Sequence, residues 1–97
     1  MFRDLGLPNA EEGLLRAELT LRIYQTIRAR GLTQARAAEI MGLRQPQVSL
    51  LMRNRPGGFS VGRLLRLLAA LGQDVEITVR PAPAERKRGR VALVAAG

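Results

Sequence analysis

The sequence lacks cysteine and histidine altogether, and it has few aromatic residues. Its 97 residues include one Tyr, two Phe and no Trp. The missing cysteine excludes disulfide bonds, zinc fingers and thiol catalysis, and the missing histidine removes the usual base and metal ligand. No familiar base is present to activate Ser49 or Ser60. An enzyme is therefore the least favoured function, and we expect no catalytic residue, metal or cofactor.

Lysine is scarce as well, since fifteen of the sixteen basic residues are arginine. Against eight acidic residues they give a net charge of +8. Residues 1–19 hold two arginines and four acids, a net of −2, so the remaining 78 residues carry +10. Such a basic body suits a polyanion such as DNA, although basic composition alone is weak evidence.

Long apolar runs are also missing. The longest, Leu64–Leu71, is interrupted by Arg66 and is too short to cross a bilayer. Residues 1–9 lack a basic start followed by an apolar run, so the sequence predicts no signal peptide. We expect one small domain, located in the cytoplasm and associated with the nucleoid, without a membrane partner.

The most informative segment is residues 34–53, which has the pattern of a helix-turn-helix. Two helices that meet at a tight turn need a small residue where they touch and a glycine at the turn, and Ala38 and Gly42 fill these positions. The positions that must face inward are all apolar: Ala37, Met41, Leu43, Val48 and Leu51. The pattern predicts a second helix that is free to enter a DNA major groove.

Apolar periodicity and capping residues predict four helices in all. They run from about Ala10 to Arg30, from Gln34 to Met41, from about Gln45 to Arg53, and from a Ser60 cap to Leu71. An Asn9–Glu12 capping box is predicted to start the first, and Thr33 to cap the second. Phe59 is expected to pack on Leu64 beside the Ser60 cap.

Beyond the helices, the apolar period changes from about four to two. Val75, Ile77 and Val79 alternate with polar residues, which predicts a strand that Pro81 ends. Its backbone would pair with residues 91–95, with the same strand of a second subunit, or with a partner protein. We favour pairing in a dimer, and a solvated edge strand is the alternative.

The predicted fold class is therefore an all-α helix-turn-helix domain of about four helices, followed by one or two C-terminal strands. The domain covers residues 1–72, with the helix-turn-helix at about 33–54. Residues 73–81 form the strand, a dimerisation element through Val75, Ile77 and Val79. Residues 82–97 are a basic linker and a short apolar tail. The basic stretch 86–90 would either follow phosphates or remain a mobile linker.

Residues on the outer side of the third helix are the candidates for base contacts: Arg44, Gln45, Gln47, Ser49 and Leu50. Gln45 can both donate to and accept from adenine, and Arg44 can bind guanine with two hydrogen bonds. Leu50 suits a thymine methyl group. Gln34, Arg53 and Arg55 are the candidates for phosphate contacts. Each has the alternative of being an ordinary solvated side chain, which is the reading we favour for Arg28, Arg30, Arg63 and Arg66.

The helix-turn-helix window resembles that of the lambda-repressor-like, or XRE, family of DNA-binding domains. The longer stretch GLTQARAAEIMGLRQPQVSLLMRNRPGGFSVGRLLRLLAALGQDVEITVRP is similar to one branch of it, the HigA-type antitoxins. This resemblance implies a homodimer on a palindromic operator in double-stranded DNA, repression of its own operon, and a RelE- or HigB-like toxin partner. It also implies that Gln34 clamps a phosphate and that Gln45 binds adenine. Pro46 and Arg44 depart from the family pattern, so the operator sequence does not follow from it.

Three functions remain for comparison. The favoured one is a sequence-specific regulator, an autorepressing antitoxin. The first alternative is a protein-interaction module that neutralises a toxin with little specific DNA binding, and the second is a solitary, phage-type repressor.

Overall fold

The computed structural model describes residues 9–55 and 58–94 as a four-helix domain. The helices are α1 (Asn9–Ala29), α2 (Gln34–Met41), α3 (Gln45–Met52) and α4 (Val61–Ala70). The number and order of the predicted helices are confirmed, and their ends lie within a residue of the predicted positions. The Asn9 side chain, which would form the first capping box, lies outside the part of the structure that can be described, as do Pro56 and Gly57.

The core is formed mainly between α1 and α4. The α1 residues predicted to be buried, which recur every four positions, all have exposures of 8% or less: Leu15, Leu19, Ile23 and Ile27. They meet an apolar stripe on α4, made of Val61, Leu64, Leu67 and Leu68, together with Leu71. Thr20 and Thr26 are buried on α1 and donate their hydroxyl protons to the carbonyls of Arg16 and Arg22, so no hydroxyl is left unpaired there.

Helices α2 and α3 pack on each other and on this core. Ala37 and Val48 are fully buried, and Ala38 is 6% exposed at the contact. A small side chain is needed at Ala38 because two helix backbones approach closely there. The remaining inward positions of the motif, Met41, Leu43 and Leu51, are buried as well. The predicted helix-turn-helix core is confirmed.

Each of the four helices ends with the same pair of backbone hydrogen bonds. At the end of α2, for example, the Leu43 N–H bonds to the Ala38 carbonyl at 2.9 Å and the Gly42 N–H to the Glu39 carbonyl at 3.3 Å. This Schellman arrangement needs a left-handed residue after the helix, and Gly42 has φ 69°. After α3 that position is held by Asn54, the one non-glycine residue with positive φ in the described chain, at 56°.

The starts of α2 and α4 are capped as the sequence predicts. The Thr33 hydroxyl accepts a hydrogen bond from the Arg36 N–H, and the Ser60 hydroxyl accepts one from the Arg63 N–H, each at 3.1 Å. Both bonds satisfy an amide that has no partner within its helix. Phe59 and Leu64 are both buried beside the Ser60 cap, as expected for a hydrophobic staple.

The predicted C-terminal strand is wrong for this chain by itself. Within the described residues, 73–80 have no regular secondary structure, and neither do 91–94. Alternation of apolar and polar residues fits a strand, but a strand also needs neighbouring backbone groups to pair with. Among the described residues no such neighbour lies beside Val75, Ile77 or Val79, whose exposures rise from 38% to 75% and 91%. Residues 95–97 of the tail lie outside the described part.

The basic stretch near the C-terminus lies against the start of α1. A guanidinium nitrogen of Arg88 is 3.9 Å from Oε1 of Glu11, and Leu93 is partly buried against the core. This contact joins the acidic end of α1 to the most basic part of the chain. The tail is therefore attached to the helical domain at two points.

Candidate nucleic-acid interface

Helix α3 presents its first turn to solvent. Its inner side is fixed by Val48 and Leu51, which are fully buried, and its approach angle is fixed by the turn at Gly42. Arg44 is the N-cap and Gln45 the first helical residue. Pro46 follows in the first turn, where no amide proton is needed for the helix. The geometry leaves Arg44, Gln45 and Pro46 exposed at one end of a rigidly held helix.

Arg44 and Gln45 have side chains that no neighbour engages. In residues 9–55 and 58–94, neither side chain has a hydrogen bond or an ion pair. Their donors and acceptors are therefore available to a ligand. An amide presents a donor and an acceptor side by side, and a guanidinium presents parallel donors, which are the groups that distinguish adenine and guanine in the major groove.

Gln47, by contrast, already has a structural role. Its Oε1 accepts a hydrogen bond from the backbone N–H of Arg44 at 3.0 Å. Gln47 is the third residue of α3 and Arg44 is the N-cap, so this is one half of a capping box. Arginine has no side-chain acceptor, so the other half is not formed. The three-residue spacing between a helix start and a glutamine is the sequence signal that identifies this role.

Ser49 and Leu50 are less accessible than the sequence suggests. Both are half-buried on α3, and Leu50 was expected to be exposed. Part of each side chain remains open to solvent.

The residues predicted to contact phosphates all lie exposed at helix ends. Gln34 is the first residue of α2, Arg53 is the C-cap residue of α3, and Arg55 follows two residues later. The Arg55 N–H bonds to the Leu50 carbonyl at 2.9 Å, so the left-handed turn at Asn54 fixes the direction in which the chain leaves α3. Gln34 stands at the helix end where amide protons and the helix dipole favour an anion.

The helix-turn-helix surface is positively charged. Residues 33–55 contain four arginines and one acidic residue, a net charge of +3. The acidic residue, Glu39, is paired with Arg36 at 3.1 Å, and both are well exposed. The other three arginines of this stretch are Arg44, Arg53 and Arg55, the ones predicted to meet DNA.

Three arginines that we expected to be merely solvated make contacts within the domain. Arg30 donates a hydrogen bond to the Leu71 carbonyl at 2.9 Å. The guanidinium of Arg28 lies 5.6 Å from the centre of the Tyr24 ring and donates to the Tyr24 hydroxyl oxygen. That of Arg63 lies 5.4 Å from the centre of the Phe59 ring. For Arg66, the expectation of a solvated side chain agrees with its exposed position.

Two comparisons with known proteins match this arrangement. The family model described as a helix-turn-helix domain matches residues 1–80. A solved structure of a protein assigned to the XRE family of transcriptional regulators superimposes with a TM-score of 0.86 and 44% sequence identity, over 92% of this chain and all of that one. The chain belongs to the XRE family of helix-turn-helix proteins. Among the curated proteins searched, none matches.

Membership of the XRE family makes the chain a DNA-binding transcriptional regulator and not an enzyme. Over the residues that are described, the structure contains no helix that is both long and apolar enough to cross a membrane.

Proposed function

We propose that the chain is a sequence-specific repressor that inserts the first turn of α3 into the major groove. The observation that carries the proposal is the free, exposed pair Arg44 and Gln45 on a helix whose other side is fully buried. Gln45 binds adenine through N6 and N7, and Arg44 binds guanine through O6 and N7. Each such pair contributes roughly 1–3 kcal/mol of discrimination between bases.

The other α3 residues add weaker contacts. Gln47 binds through its Nε2 amide, because its Oε1 is occupied by the Arg44 amide. Ser49 donates to a base edge, and the exposed part of Leu50 contacts a thymine methyl group. These contacts adjust the sequence specificity, most of which comes from Arg44 and Gln45.

Gln34, Arg53 and Arg55 hold the domain on the backbone. Gln34 meets a phosphate at the start of α2, and the two arginines meet the flanking phosphates beyond the end of α3. Such contacts fix register and orientation but carry no sequence information. The contribution of the two arginines weakens as salt rises, because a cationic side chain that binds a phosphate releases counterions from the DNA.

A homodimer brings two copies of α3 to the DNA together. Val75, Ile77 and Val79 are apolar residues exposed just after the helical domain, where a second copy would cover them. A two-fold pair reads a palindrome whose half-sites lie one turn apart, about 34–36 Å. The chain would use this geometry to repress its own operon.

The test is fluorescence anisotropy on the duplex directly upstream of the gene, with a scrambled duplex alongside, at about 150 mM salt. We expect the upstream duplex to bind at least about 10³-fold more tightly than the scramble. Equal and steeply salt-dependent binding to both would show that only phosphates are recognised, and would contradict the proposal.

A second candidate function is neutralisation of a RelE- or HigB-like toxin, which would make the chain an antitoxin. One observation favours it: the tail exposes Val91 and Val94, at 42% and 81%, and these apolar side chains would suit a protein partner. Co-expression with the product of the neighbouring gene tests it. A stable complex that Val94→Asp breaks supports this role, and the absence of any complex opposes it.

A further inference from the structure

Helix α1 has a second apolar face that the described part of the domain leaves largely uncovered. Its core face is the Leu15–Ile27 stripe described above, and the other lies on the side turned away from α4. Leu14 and Leu21 are exposed there, at 62% and 41%, seven residues apart. Single exposed leucines are common, but two on one face of a 21-residue helix call for an explanation.

The residues on this face follow one another at alternating spacings of four and three. They are Ala10, Leu14, Ala17, Leu21, Tyr24 and Arg28, and we call them the outer seam. This is the heptad spacing with which one helix packs along another. Leu14 and Leu21 occupy one of the two seam positions, and Ala10 and Ala17 the other. Arg28 is the last residue of the outer seam, and its guanidinium lies over the Tyr24 ring.

We propose that the outer seam docks antiparallel against the outer seam of a second copy of this chain. In an antiparallel pair the two seam positions face each other across the interface, so each leucine would meet a residue of the other position. A two-fold axis at residue 19 places Leu21 opposite Ala17 of the other copy, and Leu14 opposite its Tyr24. A parallel pair would instead stack alanine on alanine and leave gaps between the leucine layers.

The charges of α1 favour the same direction. Glu11 already contacts Arg88 of the same chain. The other charged residues of 9–19 are Glu12, Glu18 and Arg16, a net of −1, whereas residues 20–29 hold Arg22 and Arg28, a net of +2. An antiparallel pair lays each acidic half on a basic half, and it brings Glu18 within about one turn of Arg22 in the other copy. A parallel pair would place like charges together. Because both halves of the charge pattern lie on α1 itself, a second copy is the occupant that matches the outer seam in charge as well as in shape.

The outer seam is separate from the DNA-contacting turn of α3, because the core face of α1 packs on α3 and α4. It is also separate from the exposed Val75–Val79 segment. A protein that used both surfaces would join its dimers into tetramers and would fill neighbouring operators cooperatively. Only this last consequence rests on the proposed function.

Cysteine cross-linking tests the direction and the register without DNA. The chain has no cysteine, so Ala17→Cys and Leu21→Cys each introduce a single thiol. Disulfides require Cβ atoms about 3.5–4.5 Å apart. We expect rapid cross-linking when the two variants are mixed and little when either is oxidised alone. Self-linking of Leu21→Cys without mixed product would mean a parallel pair, and no cross-linking would mean that no second copy occupies the seam; either overturns the proposal.

Sedimentation or light scattering of the full chain provides an independent readout. Leu21→Glu is expected to raise the dissociation constant of the seam-mediated assembly at least tenfold, with helix content unchanged by circular dichroism. Ala29→Glu adds the same charge to an exposed site on α1 outside the seam and is the matched control. Equal assembly of Leu21→Glu, Ala29→Glu and the unmodified chain would overturn the proposal. Anisotropy on a single half-site duplex reports DNA binding separately, so failure of the seam and failure of DNA recognition are distinguishable.

Discussion

Arg30, just beyond the end of α1, donates a hydrogen bond to the carbonyl oxygen of Leu71, just beyond the end of α4, at 2.9 Å. The two residues are 41 positions apart in the sequence. The bond satisfies a carbonyl that the helix itself leaves unpaired, and it places a positive charge at the negative end of the α4 dipole. It joins the C-terminal ends of the two helices that form most of the core.

Removal of this bond should destabilise the fold without changing DNA recognition. We expect Arg30→Ala to lower the free energy of unfolding by roughly 1 kcal/mol, since a charged donor is lost from a partly exposed site. Urea denaturation measures the change. Arg66→Ala removes an exposed arginine with no bond in the described chain, and it should change stability by less than about 0.5 kcal/mol. Equal effects of the two substitutions would mean that the Arg30 bond contributes nothing.

The capping role of Gln47 and its proposed role in DNA binding can be separated by substitution. Gln47→Ala removes the acceptor of the Arg44 amide, and we expect a stability loss of about 0.5–1.5 kcal/mol. Gln47→Glu keeps an acceptor at this position and should keep most of the stability, yet it should weaken DNA binding because a carboxylate repels phosphates. Denaturation and anisotropy together check both statements. Equal destabilisation by Ala and Glu would contradict a capping role.

Asn54 holds the left-handed position after α3, where glycine is the least strained residue. We expect Asn54→Gly to be neutral or stabilising by a few tenths of a kcal/mol, and Asn54→Ala to destabilise by about 1 kcal/mol. Gly42→Ala is the matched comparison, because φ is 69° there and an added Cβ would meet no atom within 4 Å. Its cost, also about 1 kcal/mol, would be purely conformational. Thermal unfolding shows whether the two alanine variants agree, and a neutral Gly42→Ala would be the contrary result.

Replacement of a phosphate-contacting residue should change the salt dependence of DNA binding, and replacement of a base-contacting residue should not. Arg53→Ala is expected to weaken binding to operator and scrambled DNA alike, and to reduce the slope of log K against log salt by about 1. Gln45→Ala should leave that slope unchanged, because an uncharged amide releases no counterion. Titrations at several salt concentrations provide the slopes. A sequence-dependent effect of Arg53→Ala would move this residue to the base-contacting group.

The helical core followed from the sequence because its determinants are local. Ala38 and Gly42 stand at fixed positions of one motif, and the Leu15–Ile27 repeat fixes the buried side of α1. The Arg30–Leu71 bond could not be predicted, because it depends on how α1 and α4 pack across 41 residues of chain. The strand at Val75–Val79 was wrongly predicted because alternation shows which side chains share a face, but not whether a pairing neighbour exists.

The exposure of the start of α3 could be predicted from the sequence, whereas the DNA contacts of its residues stay predictions. The capping role of Gln47 was not predicted: its oxygen accepts a hydrogen bond from the Arg44 amide. The sequence spacing would have suggested the cap, since Gln47 is three residues beyond Arg44. Leu50 was expected to be exposed and is half-buried, which depends on packing that a motif does not describe.

The central claim is that Gln45 recognises a particular base, and one cycle of measurements tests it directly. Selection from random duplexes supplies the preferred site, and single A·T to G·C changes are then made at each position of a half-site. Anisotropy compares the unmodified chain with Gln45→Ala on every duplex. We expect one A·T pair at which the change costs the unmodified chain about 1–3 kcal/mol and costs Gln45→Ala almost nothing. If both proteins lose the same affinity at every position, Gln45 does not recognise a base and the account is wrong.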